Sequence, residues 1–148
     1  MKTYKTQLKK YTLKSEKSDF LNVKITKSSD IAEFSRNFYS DDISIYESFF
    51  IAFLNQQNNT IGFCKISQGG VTATVVDPLI VAKFVIESLS KNIILVHNHP
   101  SGTLKPSQAD KDITKKIKEG LKMFDVTVLD HVILTEDSYF SFADNNLI

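Results

Sequence analysis

Three side chains favoured by first-row metals fall within fourteen residues of this chain: His97 and His99 flank Asn98, and Asp110 follows after ten intervening residues. Side chains alternate along a strand, so His97 and His99 share one face while Asn98 points to the other. The run Ile93, Ile94, Leu95, Val96 just before them is apolar and β-branched, and reads as a strand buried on both faces with the histidines at its C-terminal end. Pro100-Ser101-Gly102 breaks that strand, and Ser107 opens a helix running to about Phe124 with Asp110 in its first turn. Seven residues between His99 and Ser107 suffice to fold the helix start back over the strand end, which would complete a His-His-Asp set. Three protein ligands leave a fourth tetrahedral position for water, as in catalytic rather than structural zinc sites. Imidazole nitrogens favour zinc over magnesium or calcium.

Each residue also has a plainer reading. Ser107-x-x-Asp110 fits a helix N-cap with a carboxylate at the third helical position, which needs no metal. Upstream, Glu47 begins the run Glu47 to Leu54, sharing a face with Phe49, Ile51 and Phe53 of a strand expected to be central. A carboxylate entering an apolar layer is costly unless paired, protonated or beside a metal, so a buried Glu47 would have a raised pKa, as a proton shuttle requires. It could equally mark the exposed start of the strand. His131, inside Val126 to Leu134, reads either as a hydrogen-bonded core histidine or as a support for a metal ligand.

The positioning elements read as α/β (α+β), with a mixed, mostly antiparallel sheet flanked by helices. A helix is expected over 28 to 39, strands at about 48 to 55 and 60 to 67 joined by the turn 56 to 59, and a further strand over Val71 to Val76. Asp77-Pro78 is an N-cap followed by proline at the first helical position, so a helix runs from about 78 to 90. Its high apolar content predicts that it is largely buried. Strands at 126 to 134 and 139 to 142 close the chain. In domain terms, residues 1–40 form a basic arm and helix, and 41–148 the body of one globular unit.

The string His97-Asn98-His99-Pro100-Ser101-Gly102, then Pro106-Ser107-x-Ala109-Asp110 and later Leu129-Asp130-His131, resembles the RadC (UPF0758) branch of the JAMM-motif MPN/JAB metalloprotease-like superfamily, over about residues 43 to 143. The resemblance implies an MPN/JAB, cytidine-deaminase-like architecture. It also implies a zinc ion held by His97, His99 and Asp110, a general acid/base glutamate that should be Glu47, and Ser107 assisting at the tetrahedral intermediate. On that reading Glu47 takes a proton from a zinc-activated water and returns it to the leaving amine. Ser107 would stabilise the oxyanion, with its capping role competing for the same side chain.

Composition agrees with a single cytoplasmic domain: 148 residues, 42% apolar, net charge +1, no stretch long and apolar enough to span a membrane, and a polar, lysine-rich start unlike a signal peptide. A single cysteine, Cys64, excludes an internal disulfide and the Cys-x-x-Cys site of the zinc deaminases, and its surroundings suggest a half-buried strand position. The first 27 residues hold eight lysines against two acids, but Arg36 is the sole arginine and aromatic residues are not interleaved in the way nucleic-acid platforms need, so a solvated arm is expected over a nucleic-acid platform. No glycine precedes Gly62, so the helix-hairpin-helix module that RadC proteins usually carry is not expected. An HNH nuclease is disfavoured because the chain offers no second histidine helix or phosphate-facing arginine. The functional expectation is a zinc-dependent hydrolase of peptide or isopeptide bonds, acting on a protein or peptide. The alternative is a non-catalytic accessory in DNA repair or recombination. A homodimer is plausible from the resemblance and from an edge strand near the C-terminus.

Overall fold

The computed structural model describes residues 9–12, 14–70 and 75–148. In chain order the elements are α1 (Ser28–Arg36), β1 (Ser48–Leu54), β2 (Thr60–Gln68), α2 (Pro78–Ser88), β3 (Asn92–Asn98), α3 (Gln108–Leu121), a 3-10 turn Lys122–Phe124, β4 (Thr127–Leu134) and β5 (Tyr139–Ser141). The strands form one mixed sheet in the order β2-β1-β3-β4-β5. Strand β1 is antiparallel to β2 and β3, β4 is antiparallel to β5, and only β3 and β4 run parallel. Parallel neighbours need a crossover, which α3 supplies. The crossover must start beyond the C-terminal end of β3, so the first turn of α3 sits next to the histidines.

The sheet separates two apolar layers, and β1 shows why the sequence folds this way. All seven of its residues are buried. Phe50, Ala52 and Leu54 pack towards α1 with Ile31, Ile94, Val96, Val132 and Leu134. Phe49, Ile51 and Phe53 pack towards α2 and α3 with Val81, Val85, Ile93, Leu95, Ile117 and Leu121. The period-two alternation therefore feeds both layers.

Several expectations need correction. Helix α2 is not largely buried: only Val81 and Val85 are enclosed, while Leu79 and Leu89 are 74% and 80% exposed and Ile80 and Ile86 are also exposed. The helix lies on the outside of the sheet and offers it a single stripe, with Ala82 and Phe84 partly buried beside it, so Leu79, Ile80 and Ile86 face outward. Helix α1 stops at Arg36 rather than Tyr39. The Arg36 guanidinium donates to the carbonyl oxygens of Thr135, Glu136 and Ser138 at 2.8, 3.0 and 2.9 Å, so the sole arginine ties α1 to the β4–β5 turn. Of the strand expected over 71 to 76, residues 71–74 lie outside the described residues, and Val75 and Val76 are in no strand. The described lysines of the N-terminal arm, at 9, 10, 14, 17, 24 and 27, are exposed. Among the described residues no helix is long and apolar enough to cross a membrane.

Two details of the sheet bear directly on the site. Between β3 and β4 the register shifts by one residue: Ile93 pairs with Val128 but Ile94 with Asp130, leaving Leu129 as an extra residue. Such an insertion moves every later side chain of the strand to the opposite face. It is what puts His131 on the α3 side of the sheet, with His97. Asn98 is fully buried on the other face, where its Oδ1 accepts from Ser48 N–H at 2.8 Å and its Nδ2 donates to the Ile43 and Tyr46 carbonyls at 2.6 and 2.7 Å. These three bonds anchor the segment leading into Glu47.

Asn98→Asp would replace the amide nitrogen and its two N–H donors with a single oxygen facing two carbonyl oxygens inside the protein. We expect it to destabilise the fold by about 2–4 kcal/mol. Denaturant unfolding of the variant beside the wild type checks this, and an unchanged midpoint would contradict the clamp.

Candidate metal centre

Strand β3 delivers His97 and His99, and the N-terminus of α3 delivers Asp110. A capping box fixes the helix start: Asp110 N–H donates to Ser107 Oγ at 3.1 Å, and Ser107 N–H donates to Asp110 Oδ2 at 2.7 Å. The same carboxylate faces both histidines. Its Oδ1 lies 3.3 Å from His97 Nε2 and its Oδ2 3.5 Å from His99 Nε2, while the two Nε2 atoms are 2.9 Å apart. The cap and the His-His-Asp cluster are therefore two uses of one side chain, not alternatives. A cap needs only the Ser107 oxygen as acceptor, so it does not consume the hydroxyl hydrogen, and the competition expected from the sequence is weaker than it looks.

The geometry suits a cation. Ligand atoms about 2.0–2.1 Å from a tetrahedral zinc stand about 3.3 Å from one another. The triangle of 2.9, 3.3 and 3.5 Å is close to that, and these three residues form the group among the described residues that could hold a metal ion. Two imidazole lone pairs at 2.9 Å repel unless a proton or a metal lies between them. His99 Nδ1 is 2.8 Å from the Thr103 carbonyl oxygen, which can only accept, so Nδ1 carries a hydrogen and Nε2 is the atom that could ligate.

Charge follows from the same contacts. Burial alone would raise the Asp110 pKa, but hydrogen bonds with His97 and His99 outweigh it and hold the carboxyl far below the usual range. Burial opposes a charged His99, yet the Asp110 hydrogen bond, the Thr103 carbonyl and the Asp110 charge raise its pKa above the ordinary 6.5. Burial, reinforced by the neighbouring His97, pushes fully enclosed His131 well below it.

Glu47 immediately precedes β1 and is half-buried rather than enclosed. It lines a pocket of about 240 Å³ with His97 and Asp110, whose other walls include Phe49, Val76 and Ile113. His99 belongs to the wall of a second, more polar cleft of about 430 Å³, bordered by Ser44, Gly102, Thr135 and Glu136. The cluster thus borders both clefts. Cys64 is half-buried in β2, as expected, with burial raising its thiol pKa to about 12.

Behind the candidate ligands lies a contact that sequence reasoning left open at one end and missed at the other. His131 Nε2 is 2.7 Å from His97 Nδ1, and His131 Nδ1 is 2.5 Å from Thr114 Oγ1. His131 is also stacked on Phe142, with ring centroids 4.6 Å apart. It is both of the things proposed for it, a packed core histidine and a partner of a candidate ligand. Thr114 lies four residues after Asp110 on the same helix face, a spacing that would have flagged it.

Comparisons with known proteins identify the family. A family model described as "RadC-like JAB domain" matches residues 25–147. A UPF0758 protein of Flavobacterium johnsoniae is 48% identical over 102 residues, covering 69% of this chain and 44% of the relative. One from Chlorobaculum parvum is 35% identical over 128 residues, covering 86% and 57%. UPF0758 protein YfjY of Escherichia coli is 39% identical over 102 residues, covering 69% and 64%. The chain spans roughly half the length of the first two relatives. With a family model matching most of its length, this chain belongs to the RadC-like JAB domain family.

Proposed function

We propose that this chain is a zinc-dependent hydrolase of amide bonds, peptide or isopeptide, working in the cytoplasm on a protein or peptide substrate. The observation that carries the reading is the triangle formed by His97 Nε2, His99 Nε2 and an Asp110 oxygen, bordering the pocket that Glu47 also lines. His97, His99 and Asp110 would hold the ion. Zinc bound there supplies Lewis acidity, lowering the pKa of a water and polarising a carbonyl oxygen.

The chain's own residues supply the rest. Glu47 accepts a proton from the attacking water and returns it to the leaving amine, a role open to a half-buried carboxylate on the pocket wall. Ser107 keeps its hydroxyl hydrogen for the developing oxyanion while its oxygen caps α3. The apolar wall of Phe49, Val76 and Ile113 suits an apolar substrate group beside the reacting bond, and the clefts on either side leave room for an extended chain.

Elemental analysis should find about one zinc per wild-type chain and per Glu47→Gln chain, and little in His99→Ala or Asp110→Ala. Glu47→Gln should lose at least about a hundredfold in cleavage of whichever peptide or isopeptide bond the wild type cuts. Equal zinc loss in all three variants would make Glu47 a ligand or a structural residue. Zinc retained without cleavage of any amide would favour a non-catalytic role, such as an accessory in DNA repair.

The pKa shifts fix a sign for pH dependence. In the metal-free chain the raised His99 value means its pairing with Asp110 stabilises the fold below the ordinary 6.5 and is lost as pH rises through the folded value. Asp110 is depressed, so its contribution is present above the usual carboxylate range and lost only in strong acid. Zinc needs the neutral imidazole, so protons compete with it as pH falls through the raised His99 value. Chelator competition should show zinc affinity falling as pH is lowered through the raised His99 value, by up to about tenfold per unit below it. A flat profile would contradict the ligand assignment.

A further inference from the structure

We infer that His131 and Thr114 are positioning residues for the metal: they form a directed hydrogen-bond relay that sets the tautomer of His97 and leaves its Nε2 lone pair facing the site. The inference rests on the metal-binding reading above and adds two residues to it.

The relay has three links, each with room for one hydrogen. His97 Nδ1 and His131 Nε2 are 2.7 Å apart, His131 Nδ1 and Thr114 Oγ1 are 2.5 Å apart, and Thr114 Oγ1 lies 2.5 Å from the backbone carbonyl oxygen of Asp110. The direction follows from the far end. A carbonyl cannot donate, so two oxygens at 2.5 Å require the Thr114 hydroxyl hydrogen between them. Thr114 has no second hydrogen, so it must accept from His131 Nδ1–H. A neutral His131 then presents a lone pair at Nε2, which accepts from His97 Nδ1–H, and a neutral His97 is left with its lone pair on Nε2. That atom is the one 3.3 Å from Asp110 Oδ1 and 2.9 Å from His99 Nε2.

In the reverse direction His97 would carry its hydrogen on Nε2 and could not ligate, and the Thr114 and Asp110 oxygens would face each other with nothing between them. The surroundings hold the relay in place. Thr114 and His131 are both buried, at 2% and 0% exposure, so water does not compete for the links. Phe49 and Phe142 flank the His131 ring. The one-residue register shift at Leu129 brings His131 to this face. The relay begins on the ring of one ligand and ends on the backbone of another, so it couples β3, β4 and α3 at the site. His99 reaches the same tautomer through the Thr103 carbonyl.

Thr114→Val and Thr114→Ser separate this role from packing. Valine keeps the shape and volume of threonine but can neither donate nor accept, whereas serine keeps the hydroxyl and loses a methyl group. A relay predicts that Thr114→Val weakens zinc binding by about ten- to a hundredfold while Thr114→Ser stays near wild type. A packing role predicts the opposite order. Zinc affinity would be read on the full chain by competition with a chromophoric chelator, after thermal unfolding of the metal-free variants has shown that they fold. Equal affinity in wild type and Thr114→Val, or a greater loss in Thr114→Ser, would overturn the relay and leave the metal site standing. No zinc binding by the wild type would overturn the metal site and the relay with it. Long-range proton–nitrogen NMR on the zinc-loaded wild type needs no variant: it should find the His131 hydrogen on Nδ1, and a hydrogen on Nε2 would refute the inference.

Discussion

The Asp110 carboxylate is the point on which this structure depends, because it answers the helix N-terminus and two imidazoles at once. Its Oδ2 closes the capping box through Ser107 N–H at 2.7 Å, and its two oxygens face His97 and His99 at 3.3 and 3.5 Å. The cap ties the side chain to the backbone of its own helix, so its position is set by where α3 begins. The start of α3 is set in turn by the parallel pairing of β3 and β4, which obliges the chain to cross over from the end of β3. A carboxylate held this firmly is preorganised for a cation and needs little rearrangement to accept one.

Alternation along β3 divides the work of the strand end between the two faces of the sheet. His97 goes to the α3 side, where it meets Phe49 and His131, the latter backed by Thr114. Asn98 goes to the α1 side, where it pins the segment carrying Glu47. One tripeptide thus places two candidate ligands and, through Asn98, helps to place the candidate base. Asp130 performs a related task next to His131. It is buried, its pKa is raised by that burial, and it accepts from Ser141 Oγ and from the backbone of His131 and Ala143 at 2.6, 2.7 and 2.9 Å. It fastens β5 and the turn after it to the strand that holds His131.

Much of this was legible in the sequence because it depends on local rules. The His-x-His spacing at the end of a buried run, the Ser107 cap and the alternating face of Phe49, Ile51 and Phe53 are period-two or helix-start signals, and the structure brings these residues together as expected. What the sequence concealed depends on tertiary placement. The burial of α2 was overestimated because an apolar helix is enclosed only if something covers its outer side, and composition does not report that. The role of His131 stayed open because it turns on the register shift at Leu129, and no residue type in Val128-Leu129-Asp130 announces an insertion. The task of Arg36 is equally hidden, because the three carbonyl oxygens of the β4–β5 turn that engage it lie about a hundred residues further along the chain.

The central claim is a zinc ion held by two imidazoles and a carboxylate, and X-ray absorption at the zinc edge of the loaded, full chain tests it most directly. The account predicts a four-coordinate shell of nitrogen and oxygen at about 2.0–2.1 Å, with the outer-shell scattering of two histidine rings and no sulfur. A sulfur neighbour at about 2.3 Å would place the metal at Cys64 instead, and a six-oxygen shell without imidazole scattering would show that the ion does not sit at His97, His99 and Asp110.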